Sequence, residues 1–193
     1  MNILSAVFER GVVSIDQVPN LGMPQIAFLG RSNVGKSSLL NTLMGQKNLV
    51  KVSATPGKTR EINFFCVNEA FYLVDLPGIG YAKVGIKERD RMADRIRDYV
   101  EKANDLRGIV YLIDLRHGGT PIDIETVETL RSLGRPVLVV GSKRDKLNQS
   151  EFQKALRLTQ QRLGLDAPPI AVSSLKKTGL DLLWSALTEI LVV

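Results

Sequence analysis

The sequence predicts an α/β fold: three layers, α/β/α, around a mostly parallel sheet of about six strands with one strand running antiparallel. Three observations predict it. Five short apolar runs, at residues 25–29, 71–75, 108–114, 136–141 and 170–173, read as buried strands, and helix-like segments lie between them. A sixth run at 61–67 is joined to the next by only Asn68, Glu69 and Ala70, which is room for a hairpin and not for a crossover helix, so one strand opposes the others. The 193 residues, 44% apolar and 24% charged, suit one ordinary globular domain with a single interior.

The elements follow in order. Residues 1–24 are expected to pack as an N-terminal extension on a domain formed by 25–193. The strand at 25–29 enters a glycine-rich turn, and a helix runs from Ser37 to Met44. After the hairpin, Met92, Ile96, Tyr99 and Val100 repeat at helical spacing inside a charged stretch. Following the strand at 108–114, Thr120-Pro121 with Asp123 supplies an N-cap, a first-turn proline and an early acid, and Gly134 ends that helix. Asn148 with Glu151 starts another helix with Phe152, Leu156 and Leu163 as its apolar stripe and Gly164 as its stop. Leu180, Leu183, Trp184, Leu187 and Leu191 make a final amphipathic helix in which Trp184 is a core residue. In such sheets ligands bind at the carboxyl ends of the strands, so the loops there carry the search for function.

Composition removes several classes. No apolar run approaches the ~18 residues that span a bilayer. Glu9 and Arg10 interrupt the apolar stretch that a secretory signal would need, so the expectation is a cytoplasmic protein with no membrane contact. One cysteine, Cys66, and one histidine, His117, exclude an internal disulfide and a Cys/His zinc site. The 26 basic residues outnumber 20 acidic ones, and residues 1–60 alone hold seven basic and two acidic side chains. Such an excess attracts polyanions, nucleotides or RNA, although a solvated face has the same composition.

Gly30-Arg31-Ser32-Asn33-Val34-Gly35-Lys36-Ser37 matches G-x-x-x-x-G-K-[ST] after an apolar strand and before a helix. The glycines let backbone N–H groups close around phosphates, and the helix start adds its positive dipole end. Lys36 is placed for the β and γ phosphates and Ser37 for Mg²⁺, with Ser38 behind it. Asp75-Leu76-Pro77-Gly78 ends the strand at 71–75; Asp75 there suits Mg²⁺ through a water, and the Gly78 N–H suits the γ phosphate. Between them lies Thr55-Pro56-Gly57-Lys58-Thr59-Arg60, where a threonine would complete the Mg²⁺ shell only while a γ phosphate is present. Thr59, next to the strand, is the preferred candidate and Thr55 its competitor.

Ser142-Lys143-Arg144-Asp145 follows the strand at 136–141 as a variant of [NT]-K-x-D. The Asp145 carboxylate can accept from the N1–H and N2–H₂ edge of guanine, which adenine lacks, and the Lys143 stem can lie along the base. Ser142 stands where Asn or Thr is usual; its hydroxyl can tie this loop to the phosphate loop with a shorter reach. Ser173-Ser174-Leu175 can offer backbone N–H groups to guanine O6, while Lys176 and Lys177 read as surface charges. Together these motifs predict a P-loop GTPase domain binding GTP or GDP with Mg²⁺.

With these elements in this order, the chain resembles the translation-factor-related class of small GTPases, and within it the bacterial EngB family, also called YsxC or YihA. The resemblance rests on the domain length, the lead before the phosphate loop, and Gly30 to Ser38, Thr55 to Thr59, Asp75 to Gly78 with Gly80-Tyr81-Ala82, and Ser173 to Gly179. It covers nearly the whole chain and departs at Ser142 and at Ile79. It implies a role in assembling the large ribosomal subunit, with rRNA and ribosomal proteins as partners and a link to cell division and septation. Among relatives without a catalytic glutamine, an asparagine at the position of Asn33 helps hold K⁺ beside the phosphates, so the resemblance implies K⁺ here; an asparagine that merely suits the loop backbone is the alternative.

Ile79 stands where Ras-like proteins place the glutamine that orients the attacking water, and an alkyl chain cannot do this. Catalysis is left to Lys36, Thr59, Gly78, Asn33 and Mg²⁺, with slow intrinsic turnover. Arg31 and Arg60 lie near the site in sequence and read as surface charges. A monomeric assembly GTPase docking on the large subunit is the first reading. A regulatory GTPase acting through a protein partner without RNA contact is the second, and an ATPase is a distant third.

Overall fold

A computed structural model describes residues 1–18, 22–50, 61–80 and 85–192. Its strands are β1 (Ala6–Val12), β2 (Gln25–Gly30), β3 (Ile62–Val67), β4 (Phe71–Asp75), β5 (Leu106–Asp114), β6 (Val137–Ser142) and β7 (Ile170–Ala171). Its helices are α1 (Lys36–Leu43), α2 (Ile86–Lys102), α3 (Pro121–Ser132), α4 (Gln149–Arg162) and α5 (Leu180–Val192). The sheet order is β1-β3-β4-β2-β5-β6-β7, and β3 alone opposes the rest, pairing antiparallel with β1 and β4. The predicted architecture therefore holds, with seven strands in place of about six.

The additional strand, β1, comes from the N-terminal lead. Its burial does not alternate, because only Ala6 and Val12 are inside and a register irregularity falls between Phe8 and Arg10. Periodicity could not reveal it. Tertiary contacts hold it instead: Phe8 packs on Phe65 with ring centroids 5.6 Å apart, and the buried Tyr72 hydroxyl donates to Glu9 Oε2 at 2.8 Å. At the other edge β7 is shorter than its apolar run: Val172 N still donates to Gly141 O of β6 at 2.8 Å, while its carbonyl accepts the Arg144 N–H of the neighbouring loop at 3.2 Å.

Helix starts follow their local chemistry. Thr120 and Asn148 both head reciprocal capping boxes, with Asp123 and Glu151 as partners. The predicted stripes are inside: Met92, Ile96, Tyr99 and Val100 of α2, and Leu183, Trp184 and Leu187 of α5. Burial of each such large side chain stabilises the fold by roughly 1.5–3 kcal/mol. One apolar layer joins the sheet to α2, α3 and α4, and the other joins it to α1 and α5. Among the described residues no helix is long and apolar enough to cross a membrane.

This layering positions the site. The loop after β2 leads to α1 on one face, whereas the strands flanking β2, β4 and β5, lead to α2 and α3 on the other. A crevice opens at the carboxyl end of β2, where the connections diverge.

Candidate functional site

The phosphate-loop sequence occupies that crevice. Gly30 is required by close approach: a Cβ there would lie 2.7 Å from Leu112 O and 3.1 Å from Val34 Cγ1. Asn33 and Gly35 take left-handed backbones, with φ of 63° and 103°, which turn the loop back into α1. Gly35 is the N-cap of α1 and brings no side-chain cap, so first-turn N–H groups stay available for an anion. Ser37 is half-buried in that first turn, and Ser38 is exposed.

Lys36 and Asp75 form a buried ion pair across the crevice, Lys36 Nζ donating to Asp75 Oδ1. Asp75 Oδ2 is buried with no hydrogen-bond partner. A carboxylate in that state is costly unless something else meets it, and a hydrated cation fits the need. The two segments are also joined through their backbones. Leu76 N donates to Phe28 O at 3.0 Å, Ile79 N to Gly30 O at 3.1 Å, and Ser32 N to Ile79 O at 3.2 Å. Pro77 and Gly78 are buried within this latch, and the Ile79 side chain packs on the core.

At the base end, Ser142 Oγ lies 2.7 Å from Val34 O and 2.9 Å from Ile113 O, so the short hydroxyl does tie this loop to the phosphate loop. Lys143, at φ 58°, donates to Asn33 O at 2.7 Å and to Asp114 Oδ2 at 2.9 Å. Asp145 Oδ1 accepts from Ser173 Oγ at 2.5 Å, and Ser173 Oγ in turn accepts the Lys176 N–H at 3.0 Å. Ser174 is half-buried and Leu175 exposed on the following turn. Arg144 is directed elsewhere: its guanidinium stacks 3.7 Å above the Phe152 ring and donates to Leu147 O at 2.8 Å.

Two residues differ from their sequence reading. Arg31, read as a surface charge, is half-buried, and its Nη1 donates to Thr120 Oγ1 at 3.3 Å, reaching the N-cap of α3. Its neighbour Asp123 accepts from the buried Tyr111 hydroxyl at 2.9 Å, so the phosphate loop is braced against β5 and α3. Asp114 was missed, although its place at a strand end, like that of Asp75, was the available signal. Burial alone would push its carboxyl up, but hydrogen bonds from Arg116 and Lys143 outweigh that and hold it down at about 2. Thr55, Pro56, Gly57, Lys58, Thr59 and Arg60 lie outside the described residues, as do Tyr81 and Ala82.

Comparison with known proteins gives a consistent result. A family described as 50S ribosome-binding GTPase matches residues 25–143. The GTP-binding protein EngB of Chlorobaculum parvum is 47% identical over 187 residues, covering 97% of each chain. Among solved structures, an EngB GTP-binding protein superposes with a TM-score of 0.73 at 26% identity, over 86% of this chain and 98% of that one. Era in complex with MgGDPNP and nucleotides 1506–1542 of 16S ribosomal RNA gives a TM-score of 0.69 at 27% identity, over 88% of this chain and 57% of that one.

Proposed function

The chain belongs to the EngB family of GTP-binding proteins, and from that premise we propose that it is a slow, Mg²⁺-dependent GTPase switch acting in the cytoplasm in large-subunit ribosome assembly, and needed for normal division and septation. One observation carries the nucleotide chemistry: Asp75 is buried with one oxygen on Lys36 and the other without a partner, beside an uncapped helix start. Lys36 leaves Asp75 for the β and γ phosphates while the first-turn N–H groups of α1 surround them. Ser37, Asp75 and Thr59 would hold Mg²⁺, and the ion would draw charge off the phosphate oxygens. Asp145 accepts from the guanine edge, oriented for it by Ser173, and Lys143 lies along the base.

Turnover is slow because Ile79 offers the attacking water no hydrogen bond and is packed into the core. In this reading Asn33 would hold K⁺, which would make hydrolysis faster in KCl than in NaCl at equal ionic strength. The ribosomal part is supported by the matching family's description and by the basic excess of residues 1–60. Exposed Val7 and Phe8 on the edge strand β1 favour the second reading, a protein partner without RNA.

Sedimentation with purified ribosomal subunits, in a non-hydrolysable GTP analogue, GDP or no nucleotide and at two salt concentrations, tests the proposal. The expected result is co-sedimentation with the large subunit that requires the GTP analogue and weakens with salt. Absence from the large subunit at low salt moves the assignment to the protein-partner reading.

A further inference from the structure

We infer that the exposed face of α4 is an RNA-docking surface that grips phosphates through Lys154 and Arg157; this deepens the ribosomal reading and rests on it. Charge singles out the helix. It holds three cations and one carboxylate, against one and three on α3 and none and two on α5. The larger helix α2 has six cations interleaved with five carboxylates, so it offers a polyanion as much repulsion as attraction.

Use of these cations singles out two of them. Arg162 donates to the carbonyls of His117, Gly118 and Gly119 at 3.2–3.3 Å and so braces the fold, as does Arg144 in the loop before the helix, committed to Phe152 and Leu147. The sole α4 carboxylate, Glu151, is engaged by the Asn148 N–H of the capping box. Lys154 and Arg157 instead line an open groove of about 430 Å³ with Ser150, Gln153, Gln161 and the half-buried Leu158, and no carboxylate lines it. Being three apart, they are neighbours on one helix face, with Cβ atoms about 5–6 Å from each other.

The cations and amides of the lining, among which no large apolar side chain is exposed, decide the class of partner. Protein interfaces are anchored by buried aromatic or aliphatic side chains. Among the described residues the exposed large apolar side chains lie elsewhere, on the N-terminal lead, α3, the Leu175 turn and α5, and none is on α4. Amide, hydroxyl and cationic groups match phosphate and sugar oxygens.

The topology also assigns this surface a nucleotide response. α4 follows β6, which β2 and β5 separate from β4 and the Asp75 segment, three strand spacings or about 14 Å across the sheet. RNA binding through α4 is therefore equal in GTP and GDP, and the nucleotide dependence of subunit docking arises at the phosphate end.

The test compares the full chain with Lys154→Gln/Arg157→Gln and, as an equal charge change on α2, Lys87→Gln/Arg97→Gln. Guanine nucleotide affinity and melting temperature of all three are expected to match. The probe is protein-free large-subunit ribosomal RNA titrated at several salt concentrations in GTP analogue and in GDP, with assembled large subunits in a parallel arm. Losing two phosphate contacts flattens the log–log salt dependence by about 1.4 to 1.8, so between about 50 and 200 mM salt the wild-type affinity falls roughly tenfold more than that of the α4 variant. The RNA arm decides the inference. Selective loss in the α4 variant, alike in both nucleotides, supports it. Equal binding by all three proteins, equal loss in both variants, or no RNA binding by the wild type overturns it. The subunit arm decides the ribosomal reading separately: RNA binding with no subunit binding overturns that reading alone.

Discussion

The phosphate end and the base end of the site are built on opposite principles. At the proposed phosphate end two charges, Lys36 and Asp75, are buried and satisfy each other, leaving Asp75 Oδ2 unmet. At the base end each group is already aimed by a third residue: Asp145 by Ser173, and Lys143 by Asp114 and Asn33 O. A site that must exchange partners when its ligand arrives is suited to switching. A site whose donors and acceptors are fixed beforehand is suited to selecting one base, because little ordering remains to be done on binding.

The largest expected effect breaks the phosphate end. Lys36→Met removes one member of a buried pair and strands a carboxylate, which costs about 3–5 kcal/mol of stability besides abolishing tight GTP binding. Thermal unfolding of both proteins measures this loss; an unchanged melting temperature would show that the pair is not a buried charge pair at all.

Next comes the base end. Asp145→Asn removes a charged acceptor for two hydrogen bonds of roughly 1.5–3 kcal/mol each, so GTP affinity falls about a hundredfold or more while xanthosine triphosphate, whose 2-oxo group accepts from the amide, gains. Nucleotide titration against both ligands reads the exchange, and wild-type GTP affinity in the variant would sink the base assignment. Stability barely changes, which separates this end from the first.

Asp114 sharpens the comparison through pH. Its carboxyl is held at about 2, below its ordinary value of 3.8, so the native state gains stability above the ordinary value that is lost as pH falls from about 4 to 2. The contribution is about 2 kcal/mol. In Asp114→Asn the acid limb of the stability curve is correspondingly flatter, and acid titrations of both proteins that superimpose would count against the arrangement with Arg116 and Lys143.

The smallest effect tests the joint between the two ends. Ser142→Ala removes the hydroxyl between Val34 O and Ile113 O, at about 1 kcal/mol, and loosens GDP binding several-fold without altering the preference for guanine. Isothermal titration with GDP and with inosine diphosphate detects it. A changed ratio between the two would place Ser142 in base selection and not in bracing.

Much of this was legible because local stereochemistry writes it into short stretches. The phosphate loop needs Gly30 for approach and Gly35 for its turn, and capping boxes at Thr120 and Asn148 need a fixed spacing of three. Apolar runs and stripes, with the glycine-rich turn before α1 and the cap and stop signals of α3, located every strand and α-helix but β1. The sequence by itself thus determined the fold class and the motifs at Gly30 to Ser37, Asp75 to Gly78 and Ser142 to Asp145, since each is a property of neighbours along the chain.

What the tertiary structure alone decided involves partners remote in sequence. β1 exists through contacts with Phe65 and Tyr72, more than fifty residues away, and its own pattern carries no signal. Arg31 is half-buried because Thr120 sits beside it, and Asp145 is aimed because Ser173 closes on it. On α4, composition could not distinguish Arg162, spent on three carbonyls, from Lys154 and Arg157, which line an open groove. Whether a charge is committed or available depends on what lies within about 3 Å of it, and that distance is set only when strands and helices from all along the chain have packed.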